Sequence, residues 1–156
     1  MSAAPPKLRR AVPGDVAGIT DVQHAAYAKN RALLGVEPLP LMVDYKDILR
    51  DYEVWVGGPA GALDAVLVLL ARADDLLIWS VASAPHAQGA GLGNTLLGFA
   101  ERRALEQGRK TLRLYTGEKL RANVEWYQRR GYRIERTERL SDRTIVHLIK
   151  TLDRGD

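Results

Sequence analysis

Cysteine is absent from this 156-residue chain. That excludes disulfides, thiolate metal sites and any acyl-cysteine intermediate. Long apolar runs are missing too, and none approaches the roughly 18 residues that a bilayer-spanning helix needs. The opening M-S-A-A-P-P-K has no apolar stretch of the kind a signal peptide carries. There are no internal repeats and no low-complexity tract. These absences lead to the expectation of a soluble cytoplasmic protein with no membrane association.

What is present suits one domain over residues 1–156. Hydrophobic residues make up 46% of the chain, enough for a core that needs no metal or staple. The net charge of +4 is uneven. Residues 1–100 carry 8 Lys/Arg against 10 Asp/Glu, and residues 101–156 carry 15 against 9. A basic half can meet a polyphosphate ligand or a nucleic acid. A solvated arginine-rich surface explains the same charges, which form no block. No recognition-helix or base-stacking motif accompanies them, so no nucleic-acid partner is expected.

Hydrophobic periodicity divides the chain. Leu8 to Val12 can form a short strand, and Pro13-Gly14-Asp15 opens a helix with Asp15 as N-cap. Val16, Ile19, Val22 and Ala26 share one face of that helix, with His24 pointing away. Residues 28–42 show no clear period, and Pro38 and Pro40 make the part from Gly35 onward a loop. Its Leu and Met content suits either a substrate-facing wall or packing on the core. A short helix over 43–51 follows, with Asp44 as its cap.

Strands are predicted at 53–56, 65–71 and 76–83, joined by turns short enough to imply an antiparallel meander. The unbroken apolar run Ala65 to Ala71 suits a strand buried on both faces. A helix from about Gly91 to Gln107 stops at Gly108, and residues 111–116 return as a strand. That strand–helix–strand crossover implies a parallel pair between residues 76–83 and 111–116. A helix near 120–130 ends at Gly131, and a hairpin of 132–139 and 144–150 closes the chain. The fold class is therefore α/β, with a mixed, mostly antiparallel sheet containing one parallel pair and flanked by helices.

The stretch that stands apart is V-A-S-A-P-H-A-Q-G-A-G-L-G-N, residues 81–94. A strand runs into a glycine-rich turn that opens a helix, and the free N–H groups of a helix start suit a phosphate. A dinucleotide fingerprint would follow the first strand with its third glycine spaced differently. A P-loop would need Gly-Lys-Ser/Thr, but Gly93 precedes Asn94-Thr95. A glycine-rich corner that binds nothing is the bland alternative.

The wider pattern Pro85-x-x-Gln88-Gly89-x-Gly91-Leu92-Gly93 resembles the Q/R-x-x-G-x-G/A signature of the GNAT superfamily of acyl-CoA-dependent N-acetyltransferases. Asn123-x-x-x-Tyr127-x-x-x-Gly131-Tyr132 is similar to that family's N-x-x-x-Y-x-x-x-G-F/Y segment. The likeness is specific in the cofactor half and weak over residues 28–52. It implies an open sheet whose fourth and fifth strands splay around the pantetheine arm of acetyl-CoA. Val81, Ala82 and Ser83 would then face that arm with backbone groups, the backbone of Gly89, Ala90, Gly91, Leu92, Gly93 and Asn94 would hold the pyrophosphate, and Gln88 would belong to the same cofactor site. Arg129 or Arg130 would meet the adenosine 3′-phosphate, although surface charge explains both equally well.

The resemblance further implies Tyr127 as the general acid that protonates the leaving thiolate, with Asn123 one helical turn earlier orienting cofactor or tyrosine. A tyrosine simply packed beside Trp126 is the alternative. Glu118 and Asp75 are the candidate bases, and a water or no base at all stays open. His86 and His147 are explained by their loop and strand positions, and no metal site is expected. With no cysteine, direct attack of a primary amine within a ternary complex is favoured over a covalent acyl-enzyme. The acceptor would be a small molecule or a peptide amine. A CoA-binding regulatory module without turnover is the alternative function. An edge strand or the terminal hairpin would also permit a homodimer.

Overall fold

The computed structural model describes residues 7–89 and 91–152. Strand β1 (Leu8–Arg10) leads into helix α1 (Val16–Tyr27), the short helix α2 (Asn30–Leu34), a 3-10 turn at Leu39–Leu41 and helix α3 (Tyr45–Asp51). Strands β2 (Glu53–Gly57), β3 (Ala65–Ala71) and β4 (Leu76–Ser83) form the meander. Helix α4 (Leu92–Glu106), strand β5 (Thr111–Gly117) and helix α5 (Arg121–Gln128) follow, and β6 (Arg133–Arg139) and β7 (Thr144–Thr151) close the chain. The seven strands make one sheet in the order β1-β2-β3-β4-β5-β7-β6. Every neighbouring pair is antiparallel except β4 with β5.

The hydrophobic pattern explains the layers. Ala65 to Leu69 of β3 are fully buried, because helices cover both faces of the sheet there. On one face α4 inserts Leu92, Leu96, Leu97, Ala100 and Ala104 against Leu76, Ile78, Leu112 and Leu148. On the other, α1 and α3 bring Ile19, Val22, Tyr45 and Ile48 onto Val54, Val56, Val66 and Val68. The outer strand β6 is largely exposed and carries five charged residues, a composition that discourages pairing with another edge. Among the described residues no helix is long and apolar enough to cross a membrane.

Three local features differ from the sequence reading. Asp15 does not cap α1. Its carboxylate instead accepts from the Val12 N–H at 2.8 Å and pairs with Arg9, both contacts at 2.9 Å. Helix α2 occupies part of the stretch without a period, ended by Gly35 in the left-handed region at φ 73°. In β4 the pairing slips, so that Val68 opposes Ser80 and Leu69 opposes Ile78, leaving Trp79 as an extra residue. This bulge puts two consecutive side chains on the α1 face. Trp79 packs on Tyr45 and Tyr52, while the Ser80 hydroxyl lies 3.0 Å from the Tyr27 hydroxyl.

Candidate active site

Strands β4 and β5 pair at only two positions, Leu76 with Leu112 and Leu77 with Arg113. Beyond them the strands diverge and open a cleft of about 470 Å³. Val81, Ser83, Gln88, Gly93, Asn123 and Tyr127 line it toward α4 and α5. Tyr27, Asn30, Trp79, Tyr115 and Arg143 line it toward the α1 face. Past the divergence, side chains do part of the work of a neighbouring strand. The Tyr27 hydroxyl donates to the Val81 carbonyl at 3.3 Å, and Gln88 Nε2 donates to the Ser83 carbonyl at 3.2 Å. Gln23 and Ser80, both buried, complete the network at 3.1 Å. Sequence reading missed Tyr27 and Ser80. Only the bulge aims Ser80 at α1, and no periodicity announces a bulge.

The glycine turn closes the α4 end of the cleft. Gly91 precedes the first turn of α4 at φ 75°, a left-handed conformation that L side chains adopt only with strain. The N–H groups that open α4 have no partner within the helix, and its dipole favours an anion there. A second cavity of about 310 Å³ faces them, bordered by Ser83, Gln88, Gly89, Gly91, Gly93, Asn94 and Arg130. Leu92 borders it as well, but its side chain is buried in the core, which leaves its backbone for a ligand. Ala90 lies outside the described residues.

Gly93 has a different reason to be glycine. A Cβ there would stand 2.9 Å from the Trp126 ring, so its absence lets α4 and α5 meet. Across that contact Arg130 stacks on Trp126 at 3.7 Å and donates to Asn94 Oδ1 at 2.5 Å. Of the two arginines considered from the sequence, Arg130 borders the turn and Arg129 lines the larger cleft. The open volume, the free N–H groups and the fixed guanidinium together fit a diphosphate.

Tyr127 projects from α5 into the cleft between the rings of Trp126 and Tyr132, with centroids at 5.1 and 5.8 Å. Its hydroxyl makes no hydrogen bond among the described residues. Burial pushes the phenol well above the ordinary tyrosine range, and nearby Tyr27 adds to this, so it stays protonated at neutral pH. Asn123 lines the cleft one helical turn before it. A phenol that keeps its proton at neutral pH and faces an open volume is placed to meet a ligand there.

The two carboxylates considered as bases do not reach the cleft. Asp75 is buried at the closed end, where β4 and β5 are still paired. There Arg72 holds both its oxygens at 2.7 Å, and Arg113 donates at 2.9 Å. Burial alone would raise its pKa, but the two guanidiniums outweigh that and hold it below the usual carboxylate range. A carboxylate so stabilised is a poor proton acceptor. Glu118 follows β5 in an exposed turn, outside the cleft wall. Among the described residues no Asp or Glu lines the cleft, and no group of three or more His, Asp or Glu is placed to hold a metal.

The architecture thus combines an open sheet with one splayed parallel pair, a glycine turn at the start of α4 and a tyrosine in the cleft. A sequence profile of the acetyltransferase (GNAT) family matches residues 39–132. The chain belongs to that family. It resembles a GCN5-related N-acetyltransferase from Rhodopseudomonas palustris, with a TM-score of 0.77 at 18% identity over 97% of this chain and 99% of the other. It also resembles a GNAT family acetyltransferase from Elizabethkingia anophelis with acetyl-CoA bound, with a TM-score of 0.68 at 16% identity over 96% and 100% of the two chains. The ribosomal-protein-S18-alanine N-acetyltransferase of Escherichia coli superposes with a TM-score of 0.70 at 17% identity, over 96% of each chain. Comparison with curated proteins returns no significant sequence match.

Proposed function

We propose that the protein transfers an acetyl group from acetyl-CoA to a primary amine by direct attack within a ternary complex. The observation that carries this reading is the cleft beyond Leu77, with the glycine turn at one end and an unbonded, protonated Tyr127 hydroxyl in its wall. The acetyl-CoA bound to the Elizabethkingia anophelis protein of the same fold supports the choice of donor. Acetyl-CoA supplies an activated thioester. The backbone from Gly89 to Asn94, with Arg130 beside it, holds the pyrophosphate. Backbone groups of Val81, Ala82 and Ser83, which β5 no longer pairs, hold the pantetheine arm, and Asn123 orients it from α5.

The neutral amine forms the new C–N bond as the C–S bond breaks. Tyr127 delivers its proton to the departing sulfur, and the proton lost by the amine leaves through water and restores the phenol. With no carboxylate in the wall, water in the open mouth takes the place of a side-chain base. Calorimetric titration with coenzyme A, paired with a thiol-release assay on a panel of amines, tests the reading. The expected outcome is coenzyme A binding and acetyl-dependent thiol release with at least one amine class. Coenzyme A binding with no turnover on any class would instead favour a regulatory module.

A further inference from the structure

On its α1 side the cleft is lined by two cationic residues, Lys29 and Arg143, and no Asp or Glu among the described residues lines it. Arg143 belongs to the turn between β6 and β7, a place where arginines are ordinarily exposed, yet it is 7% exposed. A buried guanidinium needs partners for its donors. The Asp142 carboxylate, outside the cleft wall, accepts from Nε and Nη2 at 3.0 Å each, and Nη2 also lies 3.6 Å from Met42 Sδ. Nη1 makes no hydrogen bond among the described residues. Nor is it a sealed, unpartnered atom, a condition found among the described residues only at the Tyr132 hydroxyl. Its two N–H groups are thus neither bonded nor sealed off, on a side chain that lines the cleft.

Asn30, at the start of α2, repeats this pattern. It is 7% exposed, lines the same cleft and makes no side-chain hydrogen bond among the described residues. Two polar side chains, each more than nine-tenths buried, thus present unused donors to one volume. The same cleft also has apolar lining from Leu39, Pro40, Trp79 and the ring of Tyr115. Donors at one end of an apolar slot suit a ligand with an anionic head and an apolar body.

We infer that the acceptor is an amine that also carries a carboxylate, held by Arg143 Nη1 and the Asn30 amide, with an apolar side chain against Trp79 and Tyr115. This deepens the acetyltransferase reading above and rests on it. A polyamine would meet Lys29 and the Asp142-paired Arg143, with no Asp or Glu in the cleft lining to receive its second charge, which disfavours it.

Product binding tests the inference without depending on turnover. N-acetylphenylalanine and N-acetylphenethylamine differ only in the carboxylate, and each is titrated into the full chain saturated with coenzyme A. Charge-assisted hydrogen bonds of this kind set the expected preference for the carboxylate at roughly tenfold or more. Arg143→Gln should reduce the preference to about twofold while leaving coenzyme A affinity unchanged, which also reports an intact fold. Asn30→Ala is the second variant and should erode the preference by a smaller factor. Equal affinities, tighter binding of N-acetylspermidine, or no binding of either compound would overturn the inference. Coenzyme A bound without a carboxylate preference sinks this inference alone, whereas coenzyme A unbound sinks the acetyltransferase reading with it.

Discussion

Gly93→Ala sets two opposing effects against each other, and the structure decides between them. In a free helix the change should stabilise, since alanine is better than glycine by about 0.8–1 kcal/mol. In this protein the added Cβ would stand 2.9 Å from one carbon of the Trp126 ring and 3.2 Å from the next. The ring cannot simply swing aside. Tyr127 meets it edge-on at 5.1 Å, and Arg130 lies on it at 3.7 Å. Forcing a methyl into a packed contact costs about 1–3 kcal/mol, so the net effect is a loss of up to about 2 kcal/mol. At this chain length that lowers Tm by a few degrees, at about 2–4 °C per kcal/mol. Coenzyme A affinity should fall further than stability, because the start of α4 and Arg130 move together. Thermal melts and calorimetry on Gly93→Ala, Trp126→Leu and the double variant form the assay. The double variant should recover the stability that Gly93→Ala loses in the parent background. Refutation would be Gly93→Ala raising Tm with coenzyme A affinity intact.

Tyr127→Phe should lower kcat by about 10²–10⁴ with little change in acetyl-CoA affinity; equal losses in both would remove its role as acid. Because burial raises the Tyr127 pKa, the phenol keeps its proton as pH climbs, and no basic limb from this group should appear below about pH 10. Glu118→Ala should leave the acidic limb of the rate profile unchanged, since its side chain stands outside the cleft wall. Gly91→Val should abolish coenzyme A binding while circular dichroism still reports a folded chain, because φ 75° is strained for valine but no neighbour lies within 4 Å of its Cβ. Asp75 has a depressed pKa, so its pairing with Arg72 and Arg113 stabilises above the ordinary carboxylate range near pH 4 and fades as pH falls through the depressed value. Asp75→Asn should accordingly flatten the acid side of a Tm-versus-pH curve.

The sheet was legible wherever a pattern repeated along several residues. The apolar run of β3, the alternation of β5 and the glycines closing α4 and α5 all rest on local chemistry, and each element lies within a few residues of its expected bounds. The tight turn before α4 was legible because such backbone geometry writes itself as glycine. What was not legible depends on partners distant in the chain. Helix α2 is five residues long and is held in part by Leu34 against Gly117, where a Cβ would come within 2.5 Å. Trp79 as a bulge, Tyr27 and Ser80 as a pair, and Arg143 as a buried turn residue each need the folded sheet to acquire meaning. Asp75 misled for the same reason. Its position in β4 was read correctly, but the two arginines that neutralise it come from the turn before β4 and from the parallel neighbour β5.

The parallel junction between β4 and β5, just two residue pairs long, makes this sheet a pair of leaves sewn by a short seam. The leaf of β1–β4 and the leaf of β5–β7 are each paired antiparallel throughout, with one bulge apiece. A ligand threaded into the gap, as proposed for acetyl-CoA, would serve as the missing stitches. Amide hydrogens along the far half of β4 should exchange quickly in the empty protein and slowly in the loaded one, while those of β3 barely change.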